Sequence, residues 1–187
     1  MYKYLLICLF CVSSLQAQEA YVCEIPQEIR DHYTNYGSGS CVYMSIGING
    51  IHRNNLNAAS CPWDSVYGPE NVGGAGPSHV TKMAKQRNLA CYNVTTDNYE
   101  DMKKWFIWST KTNRFAAIGA GSAHFQTLYG YDPQRNVWYV CNNNSPKKVD
   151  EYTEEGFQRL HSSSGYWSVF LVGPSPPQNP RYVSWWK

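Results

Sequence analysis

The stretch that decides the fold reads Asn35-Tyr-Gly-Ser-Gly-Ser-Cys41-Val-Tyr-Met-Ser45-Ile-Gly-Ile-Asn-Gly50. It begins as a polar, glycine-rich turn and continues as an apolar run. This pattern predicts a buried helix that starts at about Cys41 and stops near Gly50. Ser38 or Ser40 is the expected N-cap, because a serine hydroxyl accepts a hydrogen bond from the free N–H groups of the first turn.

A cysteine at the start of a helix has a particular chemistry. Cys41 would lie at the positive end of the helix dipole, which favours the thiolate over the thiol. The glycine-rich turn before it would keep the sulfur accessible. The stretch therefore predicts a nucleophilic thiol, although half of a disulfide is the commoner fate of a secreted cysteine.

Further along, the pattern changes from helical to strand-like. The segment 54–76 is loop-like, Pro77 suits the first position of a helix that runs to about Asn88, and a capping box of Asp97 and Glu100 opens another helix. Short β-branched or aromatic runs then predict strands at 115–119, 123–131, 137–142 and 166–172, with the middle two forming a hairpin. Helices followed by an antiparallel sheet predict an α+β domain.

Composition excludes some classes of function. The chain has 187 residues, a formal net charge of +2 and 15% aromatic residues. The near-zero charge argues against a nucleic-acid-binding surface, and the aromatic content argues against disorder. The length suits one domain.

The N-terminus reads as a targeting segment. Lys3, an apolar run over 5–12 and the small residue Ala17 predict a signal peptide over 1–17. The run is too short to span a bilayer, which takes about 20 residues, so we expect a secreted protein, extracellular or periplasmic, with no membrane anchor. The predicted domain covers 18–173, and a proline-rich tail follows at 174–187.

Export would leave an odd number of cysteines. The mature chain keeps five, namely Cys23, Cys41, Cys61, Cys91 and Cys141. In an oxidising compartment four of them can pair, in any of three ways, and one is left over. Our hypothesis is that Cys41 is the free thiol and that the other four form two disulfides.

Two polar residues on the predicted hairpin could complete a site. His124 starts one strand and Asn142 ends the next. Each also has an ordinary explanation. For His124 it is that of a strand histidine with a common hydrogen bond, and for Asn142 it is that of a turn residue. Their order after Cys41 favours catalysis, because a thiol nucleophile needs a base and the base needs a group that orients it.

These motifs together resemble the papain-like cysteine peptidases. Gly37-Ser-Gly-Ser-Cys41 is similar to the nucleophile motif, His124 with Gly130-Tyr131 to the histidine strand, and Trp138-Tyr-Val-Cys-Asn142 to the strand that ends in the orienting residue. The segment between them is closest to the compact C39-like branch. The resemblance implies a papain-like fold and a Cys41-His124-Asn142 triad. It also implies an oxyanion hole made by the backbone N–H of Cys41 and the side chain of Asn35.

The chain also departs from the usual pattern of that family. Asn35 stands where the family usually has a longer glutamine, and Asn142 stands where the compact branch usually has aspartate. The spacing from Cys41 to His124 is shorter than the ~130–150 residues of papain and the cathepsins, which favours the compact branch.

The resemblance predicts a monomeric cysteine peptidase that cleaves protein or peptide amides through an acyl-enzyme. Two alternatives stay open: an amidohydrolase of peptidoglycan cross-links, and an inactive member that binds through exposed Trp and Tyr. The other histidines have no metal-ligand spacing and no phosphate-binding loop is present, so we predict no cofactor. Asn93 and Asn143 stand in glycan-acceptor patterns, which matter only in a eukaryotic secretory pathway.

Overall fold

A computed structural model describes residues 21–22, 25–35, 37, 39–63, 75–162 and 165–172. The predicted signal peptide, 1–17, and the predicted tail, 174–187, lie outside these residues. So do Cys23 and Ser38.

Six helices and seven strands are described over their whole length. The helices are α1 (Gln27–Asp31), α2 (Ser40–His52), α3 (Leu56–Ala59), α4 (Pro77–Gln86), α5 (Tyr99–Lys111) and α6 (Glu154–Ser162). The strands are β1 (Tyr21–Val22), β2 (Cys91–Thr95), β3 (Ala116–Ala120), β4 (His124–Asp132), β5 (Val137–Cys141), β6 (Asp150–Thr153) and β7 (Trp167–Leu171).

One antiparallel sheet contains all seven strands. Six of them follow the order β2-β7-β3-β4-β5-β6, and the two-residue β1 pairs with β4. The predicted hairpin is confirmed, because β4 and β5 pair antiparallel with Asp132 opposite Val137. The architecture is α+β, as the sequence predicts.

Helix α2 is buried along its whole length, from Ser40 to His52. A helix that is apolar on all sides has no solvated face, so it packs within the fold and not on its surface. Its N-cap is Gly39, with a φ of 81°, and no side chain caps it. The prediction of a serine N-cap is therefore wrong for Ser40, which is the first helical residue; glycine occupies the cap because it tolerates this left-handed conformation.

Two glycines of α2 allow neighbouring segments to approach it. A Cβ on Gly47 would overlap the ring of Tyr33, and a Cβ on Gly50 would lie 2.7 Å from the backbone carbon of Ala58. The sequence predicts that the helix stops near Gly50, but in the structure it continues to His52. Gly50 is present because the backbone of α3 touches the helix there.

The sheet separates two apolar layers. On one face, α2, α3 and α4 pack against β3, β4 and β7 through residues that include Val42, Val80, Ala117 and Val169. On the other face, α5 and α6 pack against the sheet through a mostly aromatic cluster that includes Phe106, Trp138, Phe157 and Phe170. Cys41 belongs to the first layer.

Local sequence signals located some elements well. Pro77 is the first residue of α4, as predicted. The cap of α5 is Asn98, whose side chain accepts from the N–H of Glu100, so the predicted Asp97 capping box is wrong by one residue. The sequence did not predict β2, β6 or α6, and α3 interrupts the segment read as loop.

Within the part of the chain that the structure describes, no helix is both long and apolar enough to cross a membrane.

The close approach of α3 makes Gly50 sensitive to substitution. We expect Gly50→Ala to lower the free energy of unfolding by about 2–3 kcal/mol, because the new methyl overlaps the backbone of α3. The matched control is Gly156→Ala in α6, where the nearest atom to an added Cβ is Thr153 Oγ1 at 3.4 Å, an ordinary contact. This control should be neutral or stabilising by about 0.5–1 kcal/mol. Urea unfolding measures both, and equal stabilities would contradict the packing argument.

Two buried histidines make stability depend on pH. Burial lowers the pKa of His52 and of His161 to about 4, from 6.5. The unfolded chain therefore binds more protons than the folded one between pH 6.5 and 4. Stability should be fully present above pH 6.5 and fall as the pH drops towards 4, by on the order of 2–3 kcal/mol for each histidine.

Urea unfolding at a series of pH values tests this dependence. His161→Gln should flatten the acid limb. An acid limb of the same slope in the His161 variant would contradict the assignment.

Candidate active site

Cys41 lies at the start of α2, and the residue is only 7% exposed. Burial raises the pKa of Cys41, and hydrogen bonds from the backbone N–H groups of Phe125, Val42 and Cys41 itself oppose this rise. The sequence predicted an accessible sulfur whose pKa the helix dipole lowers. The structure differs on both points, because desolvation outweighs the favourable backbone dipoles around the sulfur.

The ring of His124, the first residue of β4, is held by Asn142. The distance from His124 Nε2 to Asn142 Oδ1 is 2.9 Å. The same oxygen accepts the backbone N–H of Asn144 at 2.9 Å. Since Oδ1 is an acceptor in both contacts, Nε2 is the protonated ring nitrogen, and Nδ1 carries the lone pair that a base requires.

The backbone connects this pair to Cys41. Phe125, whose N–H faces the sulfur, directly follows His124. Among the described residues no hydrogen bond joins the thiol itself to the His124 ring. In catalytic sites without substrate such a bond is often long and forms only in the complex.

Asn35 is fixed by the loop that follows β5. Its Nδ2 donates to Asn144 Oδ1 at 2.7 Å, and its backbone N–H donates to the carbonyl of Asn143 at 2.8 Å. Its Oδ1 accepts the hydroxyl of Ser40, the residue before Cys41. The structure therefore places Asn35 beside the start of α2, with one amide hydrogen already donated.

Asn143 is a site residue that sequence reasoning missed. It is completely buried, and its Nδ2 donates to the carbonyl of Cys41 at 2.7 Å and to Ser45 Oγ at 3.0 Å. These bonds attach the first turns of α2 to the end of β5. The sequence offered one signal, the run of three asparagines at 142–144.

In both glycan-acceptor patterns, the asparagine side-chain nitrogen to which a glycan would be attached already donates hydrogen bonds. Asn143 is buried as described, and Asn93 Nδ2 donates to the carbonyl of Pro77 at 2.6 Å and to Thr81 Oγ1 at 3.0 Å. Modification of either amide would require these bonds to break.

The prediction of two disulfides is not supported by the structure. Cys61, Cys91 and Cys141 are free thiols, as is Cys41, and Cys23 lies outside the described residues. Burial raises the pKa of the first three, in Cys141 to about 11. Cys61 and Cys141 are fully buried in two apolar clusters that both include residues of α2, and there they pack as small apolar residues.

In the described part of the chain, no group of three or more His, Cys, Asp and Glu side chains could hold a metal ion.

Comparison with known proteins adds no relatives: no protein-family model matches the chain, and no curated protein matches it.

The contacts of Asn143 predict a large effect of its removal. Asn143→Ala should lower the free energy of unfolding by about 1–3 kcal/mol, because a buried carbonyl and a buried hydroxyl lose their shared donor. The matched control is Asn144→Ala, at an exposed position of the same loop, which should cost less than about 1 kcal/mol. Thermal and urea unfolding provide the comparison. A control variant as unstable as the Asn143 variant would refute the special role of Asn143.

Proposed function

We propose that this protein is a thiol-dependent hydrolase, a cysteine peptidase with a Cys41-His124-Asn142 triad. The observation that carries the proposal is the 2.9 Å contact between His124 Nε2 and Asn142 Oδ1. It fixes the ring in the tautomer in which Nδ1 is a base. The backbone of the next residue contacts the sulfur of Cys41, so the base and the nucleophile lie in one region of the fold.

The arrangement of elements is consistent with a papain-like fold of the compact C39-like type. The nucleophile lies at the start of a buried helix, and the base and its orienting residue lie on adjacent antiparallel strands. The sequence motifs around Cys41, His124 and Asn142 resemble that family at the same three places.

The proposed reaction begins with proton transfer. Because burial raises the pKa of Cys41, the resting group is a neutral thiol, and His124 Nδ1 removes its proton as the sulfur attacks. This general-base route is favoured over a preformed thiolate–imidazolium pair. Asn142 orients the ring and stabilises the imidazolium that forms.

The remaining steps follow from the same groups. Attack of Sγ on the amide carbon places negative charge on the carbonyl oxygen, which the backbone N–H of Cys41 and the side chain of Asn35 are proposed to stabilise. His124 then protonates the leaving amine, and a thioester remains. Water, activated by His124, attacks the thioester and the C–S bond breaks. The carboxylic acid is released and the thiol of Cys41 is restored.

We further propose that the substrate is an extracellular or periplasmic protein or peptide and that the enzyme acts as a monomer. The proposal of export depends on the signal-like segment 1–17.

A library of fluorogenic peptides tests the triad. Cys41→Ala should abolish hydrolysis, and His124→Ala should reduce kcat by at least about 10²–10⁴ because general acid–base catalysis is lost. Asn142→Ala should cost less than either, since Asn142 orients the base without taking part in bond formation.

The matched control is Cys61→Ala, which removes a thiol that contacts the backbone of α2 at Tyr43 O but lies outside the triad. It should retain activity. Hydrolysis that survives in the Cys41 variant would place the chemistry elsewhere. Absence of hydrolysis for every peptide, with hydrolysis of a peptidoglycan preparation, would favour the amidohydrolase alternative.

A further inference from the structure

We propose that a second site, the aromatic groove formed by Tyr92, Asp101, Lys104, Trp105 and Trp108, binds a neutral sugar of a glycan. The groove has a volume of about 550 Å³ and lies between β2 and α5. It takes no part in the thiol chemistry, so the two proposals stand or fall separately.

The groove lies on the other face of the sheet from Cys41. Neighbouring residues of a strand point to opposite faces. In β2, Cys91 packs against the layer that contains Cys41, whereas Tyr92 contacts the rings of α5. A ligand in the groove therefore does not occupy the thiol site.

The three rings form a fixed apolar surface. Their centroids are 5.3 to 6.2 Å apart, and Trp105 also lies against the buried ring of Phe170, with centroids 5.6 Å apart. Tyr92 is 46% exposed, which is unusual for a large ring in this fold. The electron-rich faces of such rings suit the weakly positive C–H groups of a sugar ring.

An ion pair lies beside this surface. Lys104 Nζ is 2.7 Å from Asp101 Oδ1, and the two side chains are 77% and 57% exposed. The pair offers hydrogen-bond acceptors and donors side by side, which is what a ligand with several hydroxyl groups requires. The two charges cancel, so the groove matches a ligand with no net charge.

Two observations argue against a cationic ligand. The guanidinium of Arg114 already lies over Trp108, 5.2 Å from the ring centroid. This side chain takes the position over the Trp108 ring that a cationic ligand would occupy. The rings also contact one another, whereas a cage for a quaternary ammonium group needs them to surround an open space.

Calorimetric titration with two neutral probes, the tetrasaccharides of β-1,4-linked glucose and of β-1,4-linked N-acetylglucosamine, tests the proposal. We expect saturable binding of at least one. Tyr92→Ala should weaken it at least about tenfold, because Tyr92 is the most exposed of the stacking rings. Asp101→Ala should weaken it less, since a carboxylate at the rim is partly solvated.

Matched controls make the result specific. Leu56→Ala removes another exposed apolar side chain, 55% exposed and outside the groove, and should bind the sugar as the unaltered protein does. Cys41→Ala should also bind normally, which separates this site from the proposed peptidase. Failure of both sugars to bind, an undiminished affinity in the Tyr92 variant, or binding of tetramethylammonium or a proline decapeptide instead would overturn the proposal.

Discussion

Helix α2 is enclosed by protein on every side, and this constraint determines much of the structure around it. An enclosed helix needs apolar neighbours over its whole circumference, and here the sheet supplies one side while α3 and α4 supply others. It also needs partners for its polar groups. Ser45 and the carbonyl of Cys41 receive theirs from Asn143, and His52 receives its own from Asn113.

The same constraint explains the character of the thiol. A nucleophile on an exposed helix would gain from the helix dipole without losing hydration. Cys41 lies in the enclosed layer, where the loss of hydration dominates and raises its pKa. Three consecutive asparagines follow β5 and bond to the groups around it: Asn142 to the ring of His124, Asn143 to the first turn of α2 and Asn144 to the side chain of Asn35. One short loop thereby sets the relative positions of the proposed catalytic groups.

Sequence reasoning succeeded where the signal is local. The apolar run after Cys41, the proline at the start of α4 and the hairpin between β4 and β5 follow from short-range periodicity and turn chemistry. It failed where tertiary contacts determine the burial and the hydrogen-bond partners of a residue. The burial of Cys41 and the role of Asn143 depend on elements that are distant in sequence. The strand β2 was missed because its residues alternate only weakly and gain their pairing from β7.

The position of β7 has a consequence for the route by which the chain folds. This strand lies between β2 and β3, although it follows both in sequence. Until Trp167–Leu171 is in place, β2 and β3 each present an unpaired edge, and loops of many residues must close before either edge is filled. Open edges of this kind also pair with other chains. A truncation before residue 167 would therefore leave a slot in the middle of the sheet, open to a strand from another molecule.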